Sequence, residues 1–529
     1  MSLGEPHLSS TVPGERTRTD RVFAWLLTAI VALTALKASR GLSISMWGDE
    51  AITASTVSRG FSDTVDVLHE ADGGFAGYSL LMNLWVWLGE PTEVWLRLPS
   101  FVAVVATITL AAILARRIAG AVSGLVAAVV LALHPDLVGV YAIEGRPYAL
   151  AVLAVTGVAV IVHGASLTGL TARRIIAAGL LVAVAVSLHT LTVLAFAAML
   201  PWLLGAVRAT TWTRARTAIA AVVLAVDAGV IVVMLILAVR FSYLQSWLTN
   251  LAPRDWPDFL TTVASLPALL CVLGGAIAMA VSRRSPQVPD ISRADVCALI
   301  TWAIGPTVVL LVGGWLYRPM LLPRYVLSSA VAWAVLAGIA VSIAWQLAAR
   351  RSWGRAAVLA AAVPVIAVVL LTPGALAHVD KPEQPREAAE WIAGRHESGD
   401  GLLYAPTWNE PALRWYLTES PDAVLGDDAP VDIAAGEATA RESGAYWTPS
   451  RPELVRAVET SSVGSVFEQI TEGYDRIWLV SVPGADGRWR PVPEVGTPLS
   501  EELTERWTET AESRDFGMSR VTLYTRPTA

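Results

Sequence analysis

Charge is what this chain has least of: only 16% of its 529 residues are Asp, Glu, Lys or Arg, against about 25% in an ordinary soluble protein. With 54% hydrophobic residues beside it, that shortage excludes a soluble globular enzyme, a disordered chain and a nucleic-acid-binding module. Lysine is nearly missing: Lys37 and Lys381 stand alone, and every other cationic side chain is arginine. A bias of this kind is read as genome composition, of the sort found in actinobacteria. Cysteine is confined to Cys271 and Cys297, each in or beside an apolar run, so neither a disulfide framework nor a cysteine metal site is available. No P-loop, GxGxxG fingerprint, internal repeat or low-complexity tract is present, which removes phosphate cradling by a glycine-rich loop.

The charge that remains is divided. Residues 1–375 hold 25 Lys/Arg against 18 Asp/Glu, and residues 376–529 hold 14 against 27. The expectation is an arginine-flanked membrane body, 21–375, behind a short cytoplasmic tail, 1–20, and followed by an acidic soluble domain, 376–529, with the boundary near Pro373-Gly374. An apolar run from Val22 to Leu36 opens the body, and further runs follow at 98–115, 119–138, 148–166, 175–189, 191–207, 217–239, 259–281, 296–314, 325–347 and 356–373. Each is near the roughly 20 residues needed to cross a bilayer, so the pattern predicts eleven transmembrane helices. The basic clusters Arg116-Arg117, Arg173-Arg174, Arg208/Arg214/Arg216, Arg283/Arg284/Arg293 and Arg350/Arg351/Arg355 then all fall on the cytoplasmic side. Counting Phe75–Leu88 as a further span would put all five outside, so that stretch is read as a short helix lying against the outer face, within a first outer loop of 42–97. The acidic domain is thereby extracytoplasmic. Its pattern is α/β: strands at Gly401–Ala405, Arg476–Val482 and Arg520–Thr525, helices at Glu410–Leu417 and Glu501–Glu512.

This topology gathers polar residues from distant loops onto one side of the membrane: Trp47-Gly48-Asp49-Glu50, Glu144-Gly145-Arg146-Pro147-Tyr148, His189, Arg318 and Arg324-Tyr325. Ionised groups near a bilayer are costly to place and have partners and a task. Two carboxylates with several arginines fit transfer of a sugar from a lipid phosphate. A carboxylate takes the acceptor proton, and guanidiniums grip the departing phosphate. Because phosphate leaves without a proton, one carboxylate suffices, unlike glycoside hydrolysis. Two carboxylates are too few ligands to define a metal site, though a divalent cation on Asp49 and Glu50 is compatible with the motif.

Five strings, in order, resemble the GT-C glycosyltransferases, and more narrowly the bacterial family 39-like branch related to protein mannosyltransferases and aminoarabinose transferases. They are Trp47-Gly48-Asp49-Glu50-Ala51, Trp95-Leu96-Arg97-Leu98-Pro99-Ser100, Glu144-Gly145-Arg146-Pro147-Tyr148-Ala149-Leu150, Ser187-Leu188-His189-Thr190 and Leu322-Pro323-Arg324-Tyr325. The resemblance implies a polytopic α-helical membrane protein of GT-C type. It implies an inverting transferase, acting on the outer face of the plasma membrane with a polyprenyl-phosphate sugar, mannose or arabinofuranose, and a glycan, lipid or protein acceptor in cell wall biogenesis. Asp49 would be the base and Glu50 its neighbour in acceptor or metal handling; Glu144, Arg146, His189, Arg324 and Tyr325 would hold the donor phosphate. Tyr78 and Arg97 would line the substrate loop, although Gly74-Phe75-Ala76-Gly77-Tyr78 keeps only its tyrosine from the family pattern. The loop Arg240–Asp258, with Gln245 and Trp247, is read as a gate for the donor. Among the tryptophans of the acidic domain, core packing competes with stacking on sugar rings. The rival readings are a lipid or solute transporter, for which Asp227 in the run 217–239 would be the proton-carrying group, and a catalytically inactive envelope scaffold.

Overall fold

The computed structural model describes residues 13–281, 291–348, 381, 383–483 and 494–527. Its first part is a helical bundle: α1 (Pro13–Ser39), α2 (Gly48–Ser58), α3 (Phe61–Glu70), α4 (Ala76–Val86), α5 (Glu93–Ala132), α6 (Pro135–Gly139), α7 (Tyr148–Thr168), α8 (Ala172–Leu188), α9 (Val193–Ala198), α10 (Leu200–Ala209), α11 (Arg214–Arg240), α12 (Trp256–Ala264), α13 (Leu266–Val281), α14 (Arg293–Leu316) and α15 (Ser329–Ala348). Valine-rich runs that would favour strands in water are helical here, because a helix satisfies every backbone group inside one segment, as a bilayer demands.

Among the described residues, six helices are long and apolar enough to cross a membrane, or eight if each of two bent pairs counts as one span. The chain is a multi-pass membrane protein. That count of the described residues does not confirm the eleven spans expected from the sequence, for identifiable reasons. α8, with 17 residues, is about 25 Å long against a hydrocarbon core of about 30 Å. The runs 191–207 and 259–281 are bent pairs, by 60° and 86°. The run 356–373 lies outside the described residues. The run 98–115 and most of 119–138 fall within α5, which doubles back: Ala119 and Gly120 leave helical geometry, Gly120 at φ 89°. A Cβ on Gly124 would stand 2.7 Å from the Ala112 carbonyl oxygen, whereas residues that far apart in a straight helix are separated by about 18 Å. Phe75–Leu88 is the 11-residue α4, too short to cross.

Among the described residues, the turns that carry Arg116-Arg117, Arg173-Arg174 and Arg208/Arg214/Arg216 meet at one end of the bundle. Leu170 N–H donates to Thr210 Oγ1 at 2.7 Å, and Ser342 Oγ to the Ala119 carbonyl at 3.0 Å. The alternation of helices sends Trp47–Glu50, Glu144–Tyr148, His189 and Arg324 to the other end.

There the second domain packs. Its five-stranded sheet runs β2-β1-β3-β5-β4, from β1 (Gly401–Ala405), β2 (Val431–Asp432), β3 (Arg476–Ser481), β4 (Thr508–Phe516) and β5 (Ser519–Thr525). β1 is parallel to β2 and β3, while β5 pairs antiparallel with β3 and β4. One face buries Leu403, Ile477 and Leu479 under the helices Pro452–Glu459, Val463–Ile470 and Gly496–Arg506. The opposite face, with Leu402, Trp478 and Val480, shares one core with Met46, Ala54, Tyr78 and Leu96 of the first loop region. The expected helix Glu501–Glu512 is corrected: the helix ends at Arg506 and β4 begins at Thr508. Gly517 at φ 62° turns β4 into β5. Trp391, Trp415, Trp447, Trp478 and Trp507 are buried, so they serve the core and not a glycan surface.

Candidate functional site

Three other chain segments gather around the turn that carries Asp49. Asp49 lies in the first turn of α2, where the helix dipole favours an anion. Arg146 comes from the turn before α7, His189 caps the C-terminus of α8, and Arg324 sits in the 3-10 turn Pro323–Val326. Asp49 Oδ2 is 3.6 Å from Arg146 Nη2 and 3.5 Å from Arg324 Nη1, with the carboxylate side chain 30% exposed. Arg146 is held by the Asp49 carbonyl and Thr53 Oγ1, at 3.2 and 3.3 Å, and lies 5.0 Å over the Phe75 ring. The Nε groups of Arg146 and Arg324 are buried and have no hydrogen-bond partner among the described residues. Buried donors without partners are costly unless a ligand supplies the acceptor.

Beside this cluster opens a small pocket lined by Tyr148, Val152, His189, Arg324, Tyr325 and Leu327. Its mouth is cationic and aromatic, and its flank is aliphatic. The His189 ring is 5.2 Å from that of Tyr325, 5.6 Å from Tyr148 and 6.1 Å from Phe75. Burial first, then Arg324 and Arg146, pushes His189 down to about 3. It is therefore a neutral imidazole at physiological pH and adds a donor or acceptor, not a charge.

Glu50 is placed differently from its neighbour. Its side chain is 2% exposed and Arg97 is 0%. Arg97 Nε and Nη2 each donate to one Glu50 oxygen at 2.7 Å, and Gly145 N–H adds a third bond at 2.8 Å. Burial works to raise the Glu50 carboxyl, but Arg97 and Lys381 overcome it and hold it at about 2. Arg97 also caps the carbonyls of Leu42, Ile44 and Ser45. Arg97 is thus a buried clamp and not the substrate-loop contact expected from its motif, and Glu50 does not face the cavity. Tyr78, 1% exposed, is likewise core. Gly77 lets α4 approach α8 so closely that a Cβ would meet Ser187 at 2.5 Å.

Glu144 accepts from Trp47 Nε1 at 2.9 Å, and burial raises its carboxyl; it supports the Asp49 turn from behind. Arg318 donates to the Ser242 carbonyl and Gln245 Oε1, at 2.7 and 3.5 Å, and Trp247 is 42% exposed. Gln245 and Trp247 are not among the residues lining the cavity. Asp227 sits mid-way along α11, with Oδ2 3.3 Å from where a Gly179 Cβ would be, and no part of it reaches the cavity lining. A divalent cation does not fit at Asp49 and Glu50. Both Glu50 oxygens are committed to Arg97, Asp49 faces two guanidiniums, and no cluster of three metal-ligating side chains occurs among the described residues.

Two residues escaped the sequence reading. Lys381 Nζ is 3.6 Å from Glu50 Oε2 and 4.0 Å from Glu144 Oε1, and Glu383 Oε2 accepts from Gly48 N–H at 2.7 Å. The available signal was Lys381 itself, one of two lysines in an arginine-rich chain.

No protein-family model matches the chain, and no curated protein matches its sequence. Among solved structures it is similar to ArnT, an aminoarabinose transferase, from Cupriavidus metallidurans in the apo state. That TM-score is 0.56, with 15% identity, over 95% of this chain and 98% of the other. The same protein bound to undecaprenyl phosphate gives a TM-score of 0.54, with 15% identity, over 94% and 98%. A weaker similarity, TM-score 0.44 and 16% identity over 94% of this chain and 41% of the other, is to arabinofuranosyltransferase AftD from Mycobacteria. The likeness to ArnT shows that the chain shares the fold of that structure.

Proposed function

We propose that this protein is an inverting glycosyltransferase moving a sugar, mannose or arabinofuranose, from a polyprenyl-phosphate donor to a cell-envelope acceptor on the outer face of the plasma membrane. The observation that carries this reading is one part-exposed carboxylate facing two guanidiniums, of which Arg324 also lines the adjoining pocket with its aliphatic flank. That combination suits an amphiphile with an anionic head. The Asp49–arginine separations of 3.5 and 3.6 Å exceed the 2.7–2.9 Å of a tight ion-pair hydrogen bond. A phosphate can therefore take over both arginines and leave Asp49 free.

The chemistry then balances. The acceptor hydroxyl gives its proton to Asp49 while its oxygen bonds to the anomeric carbon. The bond from that carbon to the phosphate oxygen breaks on the opposite side, and the lipid phosphate departs with one more negative charge. Arg146 and Arg324 interact more strongly with that product charge than with the donor, which is the differential stabilisation catalysis needs. Neutral His189 and the hydroxyls of Tyr148 and Tyr325 complete the phosphate's hydrogen bonds. The second domain holds the residue before Asp49, Glu383 Oε2 accepting from the Gly48 N–H at 2.7 Å. The fold of the ArnT structure bound to undecaprenyl phosphate supports the same donor class.

The test is transfer of label from a panel of polyprenyl-phosphate sugars by the purified protein in proteoliposomes. One donor is expected to be used. Arg324→Ala is expected to raise its KM by roughly 10–100-fold, the value of a lost charged hydrogen bond. A folded protein that transfers from no donor favours the transporter or scaffold reading instead.

A further inference from the structure

The turn that carries Asp49 is held from the far end of the chain. Gly48 N–H, one of the donors a helix start leaves unpaired, is taken by Glu383 Oε2 at 2.7 Å. Lys381, 5% exposed on its side chain, lies between Glu50 and Glu144 at 3.6 and 4.0 Å. Arg386 extends the contact, its N–H donating to Ser45 Oγ at 3.1 Å and its Nη1 to the Ser43 carbonyl at 3.0 Å. Tyr416 OH accepts from Met46 N–H and donates to Glu93 Oε1, both at 2.8 Å. Residues 43–50 are thus lined along their length by the start of the second domain and by Tyr416.

The arrangement exceeds what attaching a domain requires. Glu50 and Glu144 are both buried, and Arg97 matches only one negative charge, so Lys381 supplies the second cation. Burial keeps the Glu383 carboxyl up at about 7 even with the Gly48 N–H bonded to it. A neutral acceptor oxygen, as the acid or as an amide, can still take that bond.

Resting on the functional reading above, we propose that Lys381 and Glu383 are positioning residues of the transfer site: Glu383 fixes the Gly48 amide and Lys381 balances the carboxylates behind it, so that the second domain completes the turn that aims Asp49. Reacting groups misplaced by about 1 Å lose on the order of 10²-fold in rate.

The experiment measures transfer kinetics of the full chain in proteoliposomes and, separately, its binding of undecaprenyl phosphate. Glu383→Ala is expected to lower kcat by about 10²-fold with undecaprenyl phosphate binding unchanged. Glu383→Gln, which keeps an oxygen for the Gly48 amide, is expected to restore most of the rate. A purely structural role would alter the yield of folded protein and leave the kcat of the folded fraction alone. Wild-type kcat in Glu383→Ala, or Glu383→Gln as slow as Glu383→Ala, overturns the inference. If Glu383→Ala does not fold, Lys381→Met and Lys381→Arg decide in its place: a lowered kcat in the first, recovered by the cation in the second, supports the inference, and equal rates in both overturn it. Transfer that depends on Asp49 but not on Glu383 or Lys381 removes this inference alone. Absence of transfer by wild type removes the functional reading and this inference with it.

Discussion

Asp49→Asn is expected to lower kcat for sugar transfer by about 10²–10⁴-fold, the usual value of a general base, and to leave donor binding intact or tighter. The two halves of that result have separate causes. The amide cannot take the acceptor's proton, so the chemical step slows. It also carries no charge, so Arg146 and Arg324, now 3.6 and 3.5 Å from the carboxylate, lose their internal competitor and meet the donor phosphate more fully. A fall in kcat with KM unchanged or lowered is the expected signature. Measuring kcat, KM and undecaprenyl phosphate affinity on one preparation separates it from a folding defect. An Asp49→Asn enzyme that keeps its kcat removes Asp49 as the base. Glu50 offers no substitute for it, since that carboxylate is 2% exposed and locked in a fork with Arg97.

The adjacent pair Asp49-Glu50 shows how far the sequence can be read. Both carboxylates were visible in it, as were Arg146, His189 and Arg324, because each stands at the end of an apolar run and the arginine clusters mark the opposite ends. Which carboxylate faces Arg146 and Arg324 was not visible. Neighbours on a helix point about 100° apart, and which direction is inward depends on what packs there. The packing partner is Arg97, whose motif reads equally well as a substrate contact. The strand Thr508–Phe516 was missed for a related reason. Glu-rich segments read as helix by propensity, and pairing with Ser519–Thr525 overrides that preference. Lys381 stood out as one of two lysines, but its contacts and those of Glu383 were beyond reach because they join a turn more than 300 positions earlier. The α5 reversal was half legible: two runs could be told apart, with Arg116-Arg117 between them, but not that the break needs only two residues.

Arg97→Ala destabilises the protein by about 3–5 kcal/mol, the cost of leaving a buried charge without its partner. Glu50 would remain in a pocket with only the Gly145 N–H at 2.8 Å and Lys381 at 3.6 Å, while the carbonyls of Leu42, Ile44 and Ser45 lose their donor. The sign of the pH dependence follows from the same pair. Glu50 in the folded protein is held at about 2, below its ordinary 4.5. The unfolded chain therefore binds its proton first as pH falls. The stabilisation is complete above pH 4.5 and is lost progressively toward pH 2; a depression of this size corresponds to about 3 kcal/mol. In wild type, acid unfolding monitored by near-UV circular dichroism in detergent should steepen across that window. In Arg97→Ala the midpoint should move to higher pH. The double variant Arg97→Met/Glu50→Leu gives the sharper test, because replacing both members of a buried pair with apolar groups is often neutral or stabilising. It should recover much of the stability lost in Arg97→Ala. Transfer should stay low, since the clamp that sets the Trp47–Glu50 turn under Asp49 is gone. If the double variant regained full transfer as well, the pair would serve the fold alone, and the aim of Asp49 would have to be set by Arg146, Thr53 and the second domain.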